Sequence, residues 1–149
     1  MEMFLQEGMV QKFEGKSQLS GSLRPNVLLV DDDHLTVQVV SRMMEVLGSR
    51  VDAANGGVPA ISCLSRSRYD IVITDLQMPD LSGYILACWV REKSPDTKVI
   101  IMTGRSQAEV EPYMKTAMAD GWLFKPFSIN EMEAALNHIL KQDLDESVA

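Results

Sequence analysis

The sequence predicts a doubly wound α/β fold, in which a parallel sheet carries helices on both faces. From Asn26 onward, short runs of branched apolar residues alternate with segments of helical periodicity, which is typical of parallel strands joined by crossover helices. A chain of 149 residues is long enough for one such domain with a hydrophobic core. Because βαβ crossovers are almost always right-handed, we expect the alternating units to form a single sheet.

Five strands, β1 to β5, and five helices, α1 to α5, are predicted in turn. The strands lie near residues 26–30, 50–54, 71–75, 98–102 and 122–124. The helices lie near residues 34–47, 57–67, 84–93, 109–119 and 129–141. Residues 1–25 are predicted to form an N-terminal arm and linker, residues 26–141 the domain, and residues 142–149 a C-terminal tail.

Two of the predicted helices carry clear boundary signals. Helix α1 ends before Gly48, which supplies its C′ residue, and its apolar stripe comprises Leu35, Val39, Val40, Met43, Met44 and Leu47. Helix α5 follows Ser128, whose side chain can pair with Glu131 in a capping box. The stripe of α5 comprises Ile129, Met132, Ala135, Leu136 and Ile139.

The start of α4 is ambiguous in the sequence. Ser106 and Glu109 have the spacing of a capping box, whereas Pro112 is tolerated only in the first turn of a helix. We expect α4 to begin close to Pro112, which would leave a long β4–α4 loop of low local stability.

Composition excludes several classes of function. The chain has 21 acidic and 14 basic residues, and its net charge of -7 disfavours direct binding to nucleic acid. No segment is long enough to span a bilayer and the first residues do not resemble a secretory signal, so we expect a cytoplasmic protein without membrane contact. Cys63 and Cys88 lack zinc or disulfide spacing and are expected to be reduced core residues.

Acidic residues stand at the ends of two predicted strands. Asp31, Asp32 and Asp33 follow β1, and Asp75 ends β3. The carboxyl ends of parallel strands meet at one edge of the sheet, where open α/β folds bind ligands. Ionised groups about 5 Å apart would repel by roughly 3 kcal/mol per pair at an effective dielectric of about 20. Such a cluster favours a cation, and its oxygen ligands suit Mg²⁺ better than zinc.

Two further polar residues end predicted strands. Thr103 closes β4 and Lys125 follows β5. Each of these motifs alone has a simple structural explanation as a helix cap, a turn or a strand exit. Their joint placement at one edge favours a site that binds Mg²⁺ and receives a phosphoryl group. His34 and His138 are expected to be exposed and to lie outside this site.

These motifs resemble the response-regulator receiver family, the phosphoacceptor domains of two-component signalling, over about residues 26–141. The opening strand and acidic pair of the family correspond to Val27–Asp32, and its acceptor segment to Asp75–Gly83. Its hydroxyl and lysine positions correspond to Thr103 and to Lys125–Pro126, a peptide bond that is typically cis in such domains. The resemblance implies a flavodoxin-like sheet with strand order 2-1-3-4-5.

The resemblance also implies a chemistry centred on Asp75, which would accept a phosphoryl group from a histidine kinase or a phosphotransfer partner. Mg²⁺ would be bound by Asp32, Asp75 and the main-chain carbonyl of Gln77, and Asp31 would act on it through water. The domain would catalyse only its own phosphorylation and dephosphorylation.

Four other residues take roles by the same resemblance. Lys125 would neutralise charge on the transferring group. The phosphoryl group would draw the hydroxyl of Thr103 inward, and Trp122, at a position where the family more often has Tyr or Phe, would follow it. Gln77 and Arg105 would flank the phosphoryl position and tune its lifetime. The output would be a protein target that binds the α4–β5–α5 face, including Met114 and Met118, because no output domain follows the domain in the sequence.

Three alternative functions are compatible with parts of the sequence pattern. A phosphohydrolase with an aspartyl nucleophile needs a second acid where this chain has Gln77. A flavin- or nucleotide-binding module needs a Gly-rich phosphate cradle, whereas the first βα turn here is acidic. A receiver-like interaction domain that is never phosphorylated is disfavoured only weakly by the complete set of acids, Thr and Lys.

Overall fold

The computed structural model describes residues 24–116 and 118–148, with side chains described up to residue 141. The strands are β1 Asn26–Val30, β2 Arg50–Ala54, β3 Ile71–Asp75, β4 Lys98–Thr103 and β5 Gly121–Phe124. The helices are α1 His34–Val46, α2 Gly57–Arg66, α3 Gly83–Lys93, α4 Gln107–Met114 and α5 Ile129–Val148. The predicted arm over residues 1–25 lies outside the described residues except for Arg24 and Pro25. Helix α5 continues to Val148, so most of the predicted C-terminal tail is helical.

The strands form one parallel sheet in the order β2-β1-β3-β4-β5, which confirms the predicted order. Strand β1 lies between β2 and β3, where Val30 pairs with Ala54 on one side and with Thr74 on the other. At the next position along β3, Asp75 pairs with Met102 of β4. This register brings the ends of β1, β3 and β4 to the same edge of the sheet.

Helices cover both faces of the sheet, as predicted, because both faces of its central strands are apolar. Val27 and Leu29 point to one face and Leu28 and Val30 to the other, and all four are fully buried. The first face packs against α1 and α5, and the second against α2, α3 and α4. Each such side chain contributes about 1.5 to 3 kcal/mol through its removal from water, which fixes the strands that carry the site.

Only part of the predicted stripe of α1 is buried. Val40, Met44 and Leu47 face the sheet, whereas the side chain of Leu35 is 66% exposed and that of Val39 is 44% exposed. The apolar face of α1 is wider than the part of the helix that contacts the sheet, so the residues at the edge of this face are exposed to solvent. The stripe of α5 agrees with the prediction, since Ile129, Met132, Leu136 and Ile139 are buried and Ala135 is half-buried.

The predicted start of α4 was wrong. The helix begins at Gln107 after the N-cap Ser106, and Pro112 lies inside it. Ser106 and Glu109 form a reciprocal capping box, in which the Glu109 N–H donates to Ser106 Oγ at 3.3 Å and the Ser106 N–H donates to Glu109 Oε1 at 3.2 Å. The cap therefore starts the helix early, and the helix ends at Met114, two residues after the proline. The β4–α4 loop is correspondingly short.

Two smaller expectations can also be compared with the structure. His34 and His138 are exposed, as predicted. Cys63 and Cys88 are free and each is half-buried, and Cys63 packs against the core on the α2–α3–α4 side of the sheet. No helix among residues 24–116 and 118–148 is long and apolar enough to cross a membrane.

Candidate functional site

Three carboxylates converge where β1 and β3 end. Because these strands are adjacent and parallel, Asp31 and Asp75 emerge side by side. One carboxylate oxygen from each of Asp31, Asp32 and Asp75 lies within 4.8 Å of the others. Asp31 is buried, Asp75 is half-buried and Asp32 is exposed, so the cluster opens to solvent on one side. The predicted convergence of these acids is therefore found in the structure.

The three consecutive acidic residues after β1 have different contacts. Asp31 Oδ1 accepts a hydrogen bond from the Asp33 N–H at 2.9 Å, which folds the chain back into the first turn of α1. Asp33 is the N-cap of α1 and accepts from Thr36 Oγ1 at 2.6 Å and from the Thr36 N–H at 3.3 Å. These hydrogen bonds from Thr36 lower the pKa of Asp33. Asp33 therefore caps the helix, while Asp31 and Asp32 remain for the site.

Lys125 supplies the positive charge of the cluster. Its Nζ lies 3.2 Å from Asp31 Oδ2 and 3.2 Å from Asp75 Oδ1, and 27% of its side chain is exposed. The backbone places it there, because the Lys125 N–H donates to the Thr103 carbonyl at 2.7 Å and extends the β4–β5 pairing. The Lys125–Pro126 peptide bond is cis, as the sequence motif implied.

Burial and charge act in opposite directions on the two central groups. Burial raises the pKa of Asp75, and repulsion from Asp31 adds to this effect, which outweighs the attraction of Lys125. For Lys125, burial disfavours the charged form, but the combined attraction of Asp75 and Asp31 is larger and raises its pKa. One ammonium group thus neutralises two carboxylates only in part, and the cluster keeps an affinity for further positive charge.

Thr103 ends β4 beside the acidic cluster. Its side chain is almost fully buried, and its Oγ1 accepts a hydrogen bond from the Arg105 N–H at 3.0 Å. A hydroxyl group has one donor as well, and no acceptor for it is found among the described residues. Trp122 pairs with Ile101 on the neighbouring strand and is half-buried on the α2–α3–α4 side of the sheet.

A cleft of about 540 Å³ runs from Asp32 between the β3–α3 loop and α4. Gln77 and Arg105 face each other across it, with the Gln77 amide oxygen accepting from the Arg105 guanidinium group. The far wall is formed by Tyr84 and Tyr113, whose rings meet edge to face with centroids 5.1 Å apart. No local sequence pattern predicts this aromatic pair, because its two members come from different helices.

Close packing fixes the backbone of Asp75. The Gly83 N–H donates to the Leu76 carbonyl at 2.8 Å, and a Cβ atom on Gly83 would overlap with the Asp75 carbonyl oxygen. The Leu76 N–H donates to the Met102 carbonyl at 2.9 Å. The start of α3 thus packs directly against the backbone of Asp75, and only glycine at residue 83 allows this close approach.

A family described as the response regulator receiver domain matches residues 27–137. The chain belongs to this family. As a receiver, it is a signalling domain of two-component systems and not a classical enzyme, and its acidic cluster matches the pocket in which the family binds Mg²⁺. The donor atoms fit that ion, since Asp31, Asp32 and Asp75 offer only oxygen ligands.

Similar proteins include longer ones. The receiver is 35% identical over 117 residues to the transcription factor SKN7 of Saccharomyces cerevisiae, with 78% of this chain and 19% of that protein aligned. It is 32% identical over 116 residues to the probable transcriptional regulatory protein TcrX of Mycobacterium tuberculosis, with 78% of this chain and 50% of that protein aligned. The chain thus spans between about a fifth and a half of these relatives.

Among solved structures, the receiver is similar to the response regulator TrrA of Thermotoga maritima, crystallised in complex with Mg²⁺ and BeF. The two share 27% identity with a TM-score of 0.71 over 76% of this chain and 97% of TrrA. A CheY-like receiver from Methanospirillum hungatei has a TM-score of 0.76 at 23% identity, over 84% of this chain and 99% of that chain, and supports the fold alone.

Proposed function

We propose that this receiver accepts a phosphoryl group on Asp75 from a phosphohistidine of a histidine kinase or a phosphotransfer protein. The observation that carries the proposal is the surroundings of Asp75. Its carboxylate is half-buried, lies 3.2 Å from Lys125 Nζ, and shares a cluster with Asp31 and Asp32. Asp31 and Asp75 both contact the ammonium group, but Asp31 is buried, whereas Asp75 is half-buried and directly precedes Leu76 and Gln77, which line the open cleft.

The metal site of the proposal uses residues around Asp75. Asp32, Asp75 and the main-chain carbonyl of Gln77 would bind Mg²⁺, and Asp31 would act on it through water. When bound, Mg²⁺ would neutralise charge on the phosphoryl oxygens. The exposure of Asp32 supports this assignment, because Mg²⁺ keeps several waters and needs an open side.

The transfer itself is a displacement at phosphorus. An Asp75 carboxylate oxygen forms a bond to phosphorus while the phosphorus–nitrogen bond of the donor breaks, and the electron pair of that bond returns to the imidazole ring. Lys125 Nζ already contacts Asp75 and is placed to bind an oxygen of the incoming group. Since a carboxylate is a weak nucleophile, the contribution of the domain is positioning and charge neutralisation.

Phosphorylation would then change the contacts of Thr103. Its hydroxyl has a donor available for a phosphoryl oxygen, and movement toward that oxygen would open space that Trp122 can enter. The readout would be the α4–β5–α5 face and a protein that binds it. Met114 and Met118 are half-buried against the core, so each exposes only part of its surface on this face.

The test is transfer of radiolabel from phosphoramidate, a small donor with a phosphorus–nitrogen bond. We expect labelling of the wild-type protein in Mg²⁺, loss of label with a chelator, and release of label by hydroxylamine, which cleaves acyl phosphates. Asp75→Asn should not be labelled, whereas the matched control Asp120→Asn should be, because Asp120 precedes β5 at the opposite edge of the sheet. Label on Asp75→Asn would refute the assignment. A wild-type protein that stays unlabelled would favour the alternative of an interaction domain that is never phosphorylated.

A further inference from the structure

The N-terminus of α2 is capped by a residue from a distant loop. Its own N-cap residue is Gly56, which has no side chain to accept the first N–H groups. The carboxylate of Asp80 takes this role, accepting from the Gly57 N–H at 3.1 Å and from the Val58 N–H at 2.9 Å. The hydrogen bond from Val58 is the largest of the effects that lower the pKa of Asp80. Asp80 therefore bonds to α2 as an ionised group.

Two glycines make this contact possible by leaving room for it. A Cβ atom on Gly56 would lie 2.7 Å from Asp80 Oδ2, and one on Gly57 would lie 2.6 Å from the Cβ atom of Leu81. The φ of Gly56 is 175°, which any residue can adopt. The absence of a side chain at residues 56 and 57 thus reflects a close approach between α2 and the β3–α3 loop.

The β3–α3 loop that carries Asp80 also carries the backbone carbonyl of Gln77. At its ends the loop is held by the pairing of Leu76 with Met102 and by Gly83 against Leu76. Between these points, side chains of the loop form hydrogen bonds with other parts of the described chain at three residues: Gln77 with Arg105, Asp80 with α2, and Ser82, at the end of the loop, with Ile85 of α3. Asp80 is therefore the anchor that ties the middle of the loop to a regular element.

We propose that Asp80 is a positioning residue for the acceptor site, which it supports by holding the β3–α3 loop on α2. The proposal rests on the function proposed above, in which the Gln77 carbonyl binds Mg²⁺. Asp80 itself would not touch the ion. Its contact with Gly57 and Val58 would fix the height of the loop above the sheet, and thereby the position of that carbonyl relative to Asp75.

The experiment titrates Mg²⁺ alone and follows the backbone amide resonances of Gln77 and Met78 by NMR. Removing a group that orients a metal ligand typically costs about 10- to 100-fold in affinity, and for the indirect contact of Asp80 we expect about 3- to 10-fold weaker binding in Asp80→Ala. Asp80→Asn keeps one acceptor oxygen and should restore part of the loss. Hydrogen exchange at the Val58 amide should become faster in Asp80→Ala.

A matched control separates positioning from general stability. Ser128→Ala removes the N-cap of α5, which is part of a capping box like that of α4, and should lower thermal stability without changing Mg²⁺ affinity. Gly56→Ala places a methyl group against the Asp80 carboxylate and should disrupt its contact with α2. This substitution should weaken Mg²⁺ binding in the wild-type background but not in Asp80→Ala.

The outcomes distinguish the two proposals. If the wild-type protein shows no Mg²⁺-dependent shifts, the proposed function fails. If the wild-type and Ser128→Ala proteins bind Mg²⁺ and both Asp80→Ala and Gly56→Ala bind it equally well, only the role of Asp80 is refuted. If Asp80→Ala does not fold, the other two variants provide the test. Mg²⁺ affinity equal to that of the wild type in both Asp80→Asn and Gly56→Ala would then refute the role of Asp80.

Discussion

Replacing Asp75 by Asn should stabilise the folded protein in the absence of divalent ions. Oxygens of the Asp31 and Asp75 carboxylates lie within 4.8 Å, which corresponds to a repulsion of about 3.5 kcal/mol at an effective dielectric of about 20. Lys125, at 3.2 Å, attracts Asp75 by about 5 kcal/mol on the same scale. Burial adds the remaining cost and outweighs this attraction, as the raised pKa of Asp75 indicates.

The sign of the effect follows from that pKa. A raised pKa means that the folded state binds the proton of Asp75 more tightly than the unfolded chain does. The ionised group therefore destabilises the fold at every pH above its folded pKa. A neutral amide removes this cost, and because single substitutions typically change the free energy of unfolding by about 0.5 to 3 kcal/mol, we expect an increase of about 1 to 2 kcal/mol. For a domain of this size the melting temperature should rise by about 3 to 8 °C.

Thermal unfolding in a chelating buffer measures this difference, and a matched variant tests its cause. Asp120 also pairs with a cation, Arg91 at 2.8 Å, and accepts from the Val99 N–H at 2.8 Å, but it lies outside the cluster of three carboxylates. Asp120→Asn should therefore destabilise the fold. Mg²⁺ stabilises a protein that binds it by about 2.7 kcal/mol when the ion is at a hundredfold excess over Kd. Saturating Mg²⁺ should therefore stabilise the wild type and remove the difference in stability between the wild type and Asp75→Asn. An Asp75→Asn protein that melts below the wild type without Mg²⁺ would refute the reasoning.

Three further predictions concern the supporting structure. Gly83→Ala should lower the free energy of unfolding by at least about 2 kcal/mol in urea titrations, since its methyl group overlaps with the Asp75 carbonyl; unchanged stability would contradict the packing described. Burial raises the pKa of Tyr69 to about 12, so the folded state keeps a proton that the unfolded chain loses near pH 10. The free energy of unfolding should fall by roughly 2 to 3 kcal/mol between about pH 10 and pH 12, and this fall should be smaller in Tyr69→Phe. Ser106→Ala should cost about 1 kcal/mol and speed amide exchange in the first turn of α4, and exchange as slow as in the wild type would argue against the capping box.

Much of the fold and of the candidate site could be predicted from local sequence. Apolar runs such as Val27–Val30 are buried on both faces, and this pattern is independent of the rest of the chain. The acids of the site follow such runs directly, so the convergence of Asp31, Asp32 and Asp75 follows from parallel pairing of β1 with β3. Lys125 and Thr103 could be placed at the same edge for the same reason.

The features that were missed depend on contacts between distant elements or on competing local effects. The hydrogen bonds of Asp80 to α2, the pairing of Tyr84 with Tyr113 and the exposure of Leu35 are set by how helices pack on the sheet, which periodicity does not encode. The start of α4 was misjudged because two local signals conflicted. The reciprocal hydrogen bonds of Ser106 and Glu109 prevailed over the penalty at Pro112, which removes a single intrahelical hydrogen bond.

The parallel sheet and the length of α5 have a consequence for how this domain can be joined to others. Strand β1 starts at the edge opposite the acids, where the Arg50 N–H donates to the Pro25 carbonyl. Helix α5 returns from the acidic edge toward that same edge, and 20 residues at about 1.5 Å each carry it some 30 Å, well past a five-residue strand. Both covalent attachment points therefore lie away from the acidic cluster. A fluorescent tag or a surface tether at either one should leave the approach of a phosphodonor unobstructed.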